Sequence, residues 1–298
     1  MIWLIGNKGM LGTELSLLLE KNGFSFTGTD MEVDITDQAA LERFANGKPI
    51  TWIINCAAYT AVDRAEDDEK TCRRLNTLGA ANIARCAKNT GSNFIHFSTD
   101  YVFNGKGITA NGTTRPYREE DDTDPIGVYG LTKRDGETEI LKENEQSYII
   151  RTAWLYGKYG NNFVKTMIKL MNERDEIKVV DDQRGSPTWA FDLAFAALAL
   201  VKAVDSGKNI PFGIYHYTNG GNITWFDFAG EIYRLGREQG VICKDCSVKP
   251  CGSAEYPAKV KRPAYSVLDK TKIKQALDIE IPDWKNSLKK YLELTAEQ

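Results

Sequence analysis

The stretch Gly6-Asn7-Lys8-Gly9-Met10-Leu11-Gly12 decides the fold. It follows a short apolar run, Met1–Ile5, and opens a helical pattern over Met10–Asn22. A glycine turn acquires meaning only in that strand-to-helix setting. Gly6 permits the tight turn, Gly9 lets the backbone approach a pyrophosphate, and Gly12 allows close packing of helix on sheet. The helix N-terminus offers unpaired N–H groups and a positive dipole end, so Asn7, Gly9, Met10 and Leu11 are candidates to cradle phosphates. A turn shaped only for geometry is the plain alternative, and three glycines directly after an apolar strand argue against it.

Further along the chain, Phe24–Thr29, Trp52–Ala57, Asn93–Ser98 and Ser147–Thr152 have the apolar pattern of strands covered on both faces. Helical spacing lies between them, over Gln38–Asn46, Thr71–Asn89 and Tyr129–Asn144. This alternation predicts an α/β fold, a doubly wound parallel sheet of the Rossmann kind. Beyond Arg151 the pattern loosens. Helices are expected over Asn161–Asn172, Ala190–Val204, Thr224–Gly236 (with Thr224 as N-cap), Lys270–Leu277 and Asp283–Leu294. Strands are expected at Glu176–Val180 and Gly213–Thr218, a polar turn over Asp181–Thr188, and loop over Cys243–Pro263. A dinucleotide-binding domain of residues 1–155 and 188–218, with a smaller C-terminal α/β substrate lobe of 156–187 and 219–298, accounts for this order.

Composition narrows the function. The chain has 298 residues, 42% hydrophobic and 27% charged, with a formal net charge of −3. No broad basic footprint argues for a nucleic-acid polymer, and no apolar run is long enough for a leader or a membrane span. A cytoplasmic protein is expected. Of six cysteines, Cys243-x2-Cys246-x4-Cys251 comes nearest to metal-ligand spacing, but a fourth ligand is missing nearby. Reduced surface thiols are expected there.

Two further stretches carry chemistry. Ser98-Thr99-Asp100-Tyr101 closes a strand at the carboxyl edge, where open α/β sheets bind ligands. Thirty residues after Thr99, Tyr129-Gly-Leu-Thr-Lys133 opens a helix and sets Tyr129 and Lys133 on one face. An ammonium there would lower the phenol's pKa, and such a phenol can give a proton to a carbonyl oxygen as hydride reaches the carbon. Thr99 could bond the same oxygen. Near the glycine turn, Asp30 could accept from an adenosine ribose, which favours NADH, but an ordinary turn aspartate reads the same, so NADPH or NADH stays open. Asp34 and Ile35 could flank the adenine. Ala57, Ala58 and Tyr59 end a strand whose small residues permit close approach of a dinucleotide.

Together with AAYTAVDRAE at 57–66, STDYVFNG at 98–105, RTAWLYG at 151–157, GSPT at 185–188 and RPAYSVL at 262–268, these residues resemble the extended short-chain dehydrogenase/reductase superfamily. Within it the chain is most similar to the dTDP-4-dehydrorhamnose reductases. The resemblance implies NAD(P)H-dependent reduction of dTDP-4-dehydro-β-L-rhamnose to dTDP-β-L-rhamnose. It implies Tyr129 as proton donor, Lys133 on the nicotinamide ribose and Thr99 as the third member. It also implies contacts to the sugar nucleotide from Asp100, Tyr101 and Trp154, with Asn162, Arg184 and Arg262 as weaker candidates. The segment Asn104–Val128 is longer and more charged than in some relatives, so a flap over the substrate and a solvated loop are both open. Glu14 matches an acidic position of a magnesium-bridged dimer. The second position reads Trp189-Ala190-Phe191-Asp192, so no metal is expected, and monomer or homodimer remains open. Rival readings are a nucleotide-sugar epimerase or dehydratase, and a non-catalytic subunit like the regulatory subunit of methionine adenosyltransferase.

Overall fold

Every side chain of β1 (Ile2–Ile5) is buried, and their alternation divides them between two cores. Ile2 and Leu4 meet Leu11, Leu15, Leu18 and Leu19, the apolar stripe of α1 (Met10–Lys21). Trp3 and Ile5 face the other way, toward Leu41, Ile83 and Ala84. A strand apolar at successive positions is thus one layer of a three-layer protein. In the computed structural model, residues 1–110, 112–255 and 258–296 are described. The loop expectations for 104–128 and 243–263 lie outside the described residues at 111 and at 256–257, as does the proposed lobe at 297–298.

The chain continues through β2 (Phe26–Thr29), α2 (Gln38–Ala45), β3 (Trp52–Asn55), α3 (Ala80–Thr90), β4 (Asn93–Thr99), α4 (Val128–Glu143), β5 (Ser147–Thr152), α5 (Phe163–Glu173), β6 (Glu176–Val180), α6 (Ala190–Asp205) and β7 (Gly213–His216). Six strands form one sheet in the order β7–β5–β4–β3–β1–β2, and every neighbouring pair is parallel. Helices α1 and α6 cover one face, and α2, α3 and α4 the other. The chain leaves β1 outward to β2 and returns on the other side as β3. That reversal opens a crevice at the carboxyl ends of β1 and β3, where such sheets bind ligands. The expected α/β class and doubly wound sheet are the observed ones.

A further core gathers Val164, Met167 and Met171 of α5, Ile177 and Val179 of β6, and Trp189. Joining them are Phe228, Ile232 and Leu235 of α7 (Trp225–Glu238), then Leu288, Tyr291 and Leu292 near the C-terminus. Helix α7 starts where expected: Thr224 Oγ1 accepts from Asp227 N–H, and Asp227 returns the bond to Thr224 N–H. β8 (Ser247–Cys251) pairs in parallel with β6. α8 (Thr271–Leu277) and α9 (Trp284–Ala296) end the fold.

Four expectations need correction. The helix expected over Thr71–Asn89 begins at Glu69 and passes through a π-helical turn, Arg74–Gly79, before α3. The polar turn Asp181–Thr188 contains two short strands: Arg184–Gly185 pairs with Ile223–Thr224, and Thr188–Trp189 with Leu155–Tyr156. The loop expected after Cys243 contains β8, so Cys246 and Cys251 are buried and only Cys243 is a surface thiol. Neither sheet face is repeated in that short strand's residues, which is why its pattern read as loop. Finally, Asn104–Val128 is no free loop. Its hairpin, Ile108–Ala110 with Thr113–Arg115, leads to Tyr117, buried and stacked on Phe103 at 4.1 Å. Segment 262–268 returns across it: Tyr117 N–H bonds Val267 O, Arg184 N–H bonds Ala264 O, and Ser266 N–H bonds Arg184 O.

Candidate active site

The glycine turn is shaped by close approach. Gly6 has φ +75°, and a Cβ there would lie 2.6 Å from the Ala57 nitrogen. A Cβ on Gly12 would lie 2.1 Å from Gly6 O, so α1 seats directly on the turn. Gly9 differs: it is exposed, and a Cβ would meet only Gly6 O, at 3.4 Å. Gly9 is the N-cap of α1, with no side chain capping that end. The N–H groups of Met10, Leu11 and Gly12 have no acceptor among the described residues, the donor set an anion requires. Asn7 lies over Gly28 of β2, and its Oδ1 is buried without a hydrogen-bond partner. Thr29 O accepts from both Gly6 and Asn7 N–H, so Asp30, the next residue, stands beside the turn. Asp34 accepts from the Thr36 amide and hydroxyl, which holds its carboxyl below the ordinary range. Ile35 is buried against Gly79. Ala57 N–H is held by Asn55 Oδ1, and Tyr59 is clamped through its N–H and its carbonyl by Asn76. The residues present fit a dinucleotide phosphate at Gly9–Leu11.

Two strands away, β4 delivers Thr99 and Asp100 to the same edge. Thr99 Oγ1 donates to Asp100 Oδ1 at 3.0 Å and accepts from Tyr101 N–H at 3.2 Å. The Thr99 hydroxyl also lies near the Tyr129 phenol and opposes the upward push that burial gives that group. Tyr129 starts α4 because Gly130 admits Tyr101 O, which would lie 2.1 Å from a Cβ there. The Tyr101 ring meets that of Tyr129 edge-on at 5.5 Å. Burial pushes the Tyr101 phenol up to about 12, while nearby Arg262 opposes that shift. Arg262 itself pairs with Asp63 at 2.5 Å.

Lys133 is almost wholly buried. Its Nζ donates to Phe97 O at 2.7 Å and lies 3.0 Å from His96 Nε2. Burial pushes this lysine down to about 8, with Glu137 and Cys72 opposing. The Tyr129 phenol is displaced upward by burial, not downward by Lys133 as its spacing suggests. The partners of Lys133 Nζ are His96 and Phe97 of β4 rather than the phenol.

Burial pushes Asp100 up to about 7, opposed by the Thr99 hydroxyl, which donates to it, and by the nearby Ser266 hydroxyl. Its sign fixes a pH effect. The folded protein keeps a proton that the unfolded chain gives up near the ordinary carboxylate value of 3.8. This contribution is therefore full below that value and is lost as pH rises toward about 7, with a slope on the order of 1 kcal/mol per pH unit. Urea unfolding at several pH values should show Asp100→Asn losing that slope. An identical slope in the variant would contradict the assignment.

The other expected residues divide. Trp154 sits at φ 49° and stacks on Trp225 at 3.6 Å. Gly185 makes room for it, since a Cβ there would lie 2.5 Å from the indole. Ser266 approaches the same spot, bringing Trp154, Asp100 and segment 262–268 to one side of the site. Asn162 is committed to capping α5 and to Gly157 O. Arg184 is exposed and bonded to Asn222. Glu14 is buried with its carboxyl pushed up by desolvation, which nearby Lys158 opposes. Asp192 accepts from Asn219 and Ser287. Among the described residues no group of three or more His, Cys, Asp or Glu is placed to hold a metal. Sequence reading missed His96 and Asn55, each a lone polar residue in an apolar run, and Asn76, one of several polar residues in a helical stretch; none carries a spacing signal.

Comparison with known proteins agrees with this architecture. The family described as "RmlD substrate binding domain" matches residues 1–296. A dTDP-4-dehydrorhamnose reductase of Streptomyces griseus is 41% identical over 289 residues, covering 96% of this chain and 91% of that protein. The crystal structure of a dTDP-4-dehydrorhamnose reductase from Clostridium acetobutylicum superposes with a TM-score of 0.89 at 40% identity, over 99% of both chains. One from Bacillus anthracis, in complex with NADP, gives 0.86 at 34% identity over 97% of both. With the family model spanning residues 1–296 and relatives matched over nearly their whole length, this chain belongs to the RmlD substrate binding domain family.

Proposed function

We propose that the chain is a dTDP-4-dehydrorhamnose reductase, converting dTDP-4-dehydro-β-L-rhamnose to dTDP-β-L-rhamnose in the last step of making that sugar donor. Relatives bearing that name over nearly their whole length support the reaction, and an NADP complex of a relative supports the cofactor class. The observation that carries the chemistry is the meeting of Thr99, Asp100 and the Tyr129 phenol at the sheet's carboxyl edge, with Thr99 Oγ1 donating to Asp100 Oδ1.

The reduced dinucleotide, when bound, supplies hydride to the sugar C4. The chain's residues do the rest. Gly9–Leu11 bind the pyrophosphate, with Gly6, Asn7 and Gly12 shaping the turn; Asp30, Asp34 and Ile35 lie on the adenosine side, and Ala57, Ala58 and Tyr59 along the nicotinamide half. Tyr129 gives its O–H proton to the C4 oxygen. Lys133 leaves Phe97 O and His96 to hold the ribose and favour the tyrosinate. Asp100, Tyr101, Trp154 and Arg262 orient the sugar nucleotide, whose remote binding energy aligns the keto carbon. Asn162 and Arg184 join them only by giving up their present partners.

The clustering of all six sheet strands within residues 1–155 and 188–218 supports a dinucleotide domain there, with 156–187 and 219–298 as the substrate lobe. No helix of the described residues is long and apolar enough to cross a membrane, which suits a cytoplasmic enzyme acting on a soluble metabolite as monomer or homodimer.

The test is turnover with enzymatically prepared dTDP-4-dehydro-L-rhamnose, NADH and NADPH being offered separately. One dinucleotide oxidised per dTDP-rhamnose formed is expected. Folded protein that binds dinucleotide but turns over neither would sink this substrate, leaving an epimerase, a dehydratase or a non-catalytic subunit.

A further inference from the structure

His96 is 1% exposed and lies between two polar partners. Its Nδ1 is 3.0 Å from Asn55 Nδ2, and its Nε2 is 3.0 Å from Lys133 Nζ. Backbone chemistry fixes the direction of these bonds. The Ala57 N–H can only donate, and it points at Asn55 from 2.9 Å, so the Asn55 oxygen must face it. The Asn55 NH2 then donates to His96 Nδ1. A neutral imidazole accepting at Nδ1 carries its proton on Nε2, facing Lys133. At the far end, Phe97 O can only accept from Lys133.

The run therefore reads Ala57 N–H, Asn55, His96, Lys133, Phe97 O, with every bond in one direction. An uncharged amine fits it, accepting from His96 and donating to Phe97 O. A lysine ammonium has no lone pair, so one buried donor would face another. An imidazolium is no remedy, since desolvation and the Lys133 charge both push the His96 pKa well down. The other titratable groups facing Lys133 are Glu137 on its own helix and Cys72 from the turn before α3, and both favour the charged form.

We propose that Asn55 and His96 are positioning residues that aim an imidazole N–H at the Lys133 amine, so that the ligand-free protein favours uncharged lysine and charges it as a dinucleotide hydroxyl replaces the imidazole. The proton gained by Nζ comes from solvent, and His96 keeps its own. The identity of the ligand rests on the reductase reading; the direction of the bonds does not.

Two measurements test this. The chain has only two histidines, so long-range proton–nitrogen spectra of nitrogen-15-histidine-labelled protein resolve each tautomer, and His96→Gln identifies the signal. His96 should be neutral and protonated at Nε2 in the ligand-free protein at about pH 9, where Lys133 is uncharged. An Nδ1–H tautomer or an imidazolium overturns the proposal. Calorimetry of NADPH binding in buffers of different ionisation enthalpy then counts protons. Uptake close to one per chain is expected at about pH 9. Asn55→Asp reverses the run, because its carboxylate accepts from an Nδ1–H and leaves Nε2 to accept from the ammonium. Uptake in that variant should fall below about half. Should it fail to fold, His96→Gln gives the same readout with the same expected loss. Unchanged uptake in a folded variant overturns the proposal. Absence of NADPH binding in the native protein would count against the reductase reading, while the tautomer would still decide the hydrogen-bond direction.

Discussion

Tyr129→Phe is expected to lower kcat by about 10²–10⁴-fold, the range associated with a positioned proton donor. Phenylalanine keeps the ring and its edge-on contact with Tyr101, so packing survives. What is lost is the hydroxyl beside Thr99 and Asp100. The dinucleotide turn lies on α1 and β1, away from this ring, and NADPH affinity should stay at the native value. The informative comparison is kcat against Kd for the dinucleotide, measured on the same preparation. A variant that still turns over within about threefold of native would remove Tyr129 from the proton transfer.

Glu137→Leu should cost about 3–5 kcal/mol in urea unfolding. Glu137 on α4 and Arg151 on β5 form a pair whose side chains are 4% and 3% exposed, joined by bonds of 2.7 and 2.9 Å. Arg151 also lies over the Phe103 ring at 5.1 Å and within 3.4 Å of His216 Nε2. His216 is held neutral by its own desolvation and then by that guanidinium, so it offers no compensating anion. Removing only the carboxylate strands a positive charge inside the protein. Removing both, as Arg151→Met with Glu137→Leu, should recover most of the loss, because two desolvated ions are replaced by apolar volume. Equal losses in the single and double variants would mean that packing, not charge, is what the site needs.

The parallel sheet was legible from the sequence because strands covered on both faces are apolar at successive positions, and β1, β3 and β4 are. The glycine turn and the Tyr129/Lys133 spacing were legible for a related reason: each is a local pattern whose geometry follows from a few consecutive residues. Residues acting across the fold were not. Asn55 and His96 meet from neighbouring strands, and Ser266 reaches Asp100 from far along the chain. No local periodicity marks such partners. β8 escaped because only Val248 and Cys251 of its five residues avoid exposure, and the cap role of Asn162 was not legible because a helix cap and a ligand contact use the same residue type.

The late return of segment 262–268 across Tyr117 and Arg184 has a consequence for the order of events at the ribosome. When α6 has emerged, the glycine turn, Tyr129 and Lys133 have all been synthesised, yet edge strand β7 and Ser266 have not. Ser266 follows Asp205 by 61 positions. At about 5–20 residues per second, the nascent chain waits about 3–12 s with its nucleotide half formed and its sugar side open. During that interval cellular dinucleotide can already occupy the young protein, acting as a folding partner before there is any substrate pocket to serve.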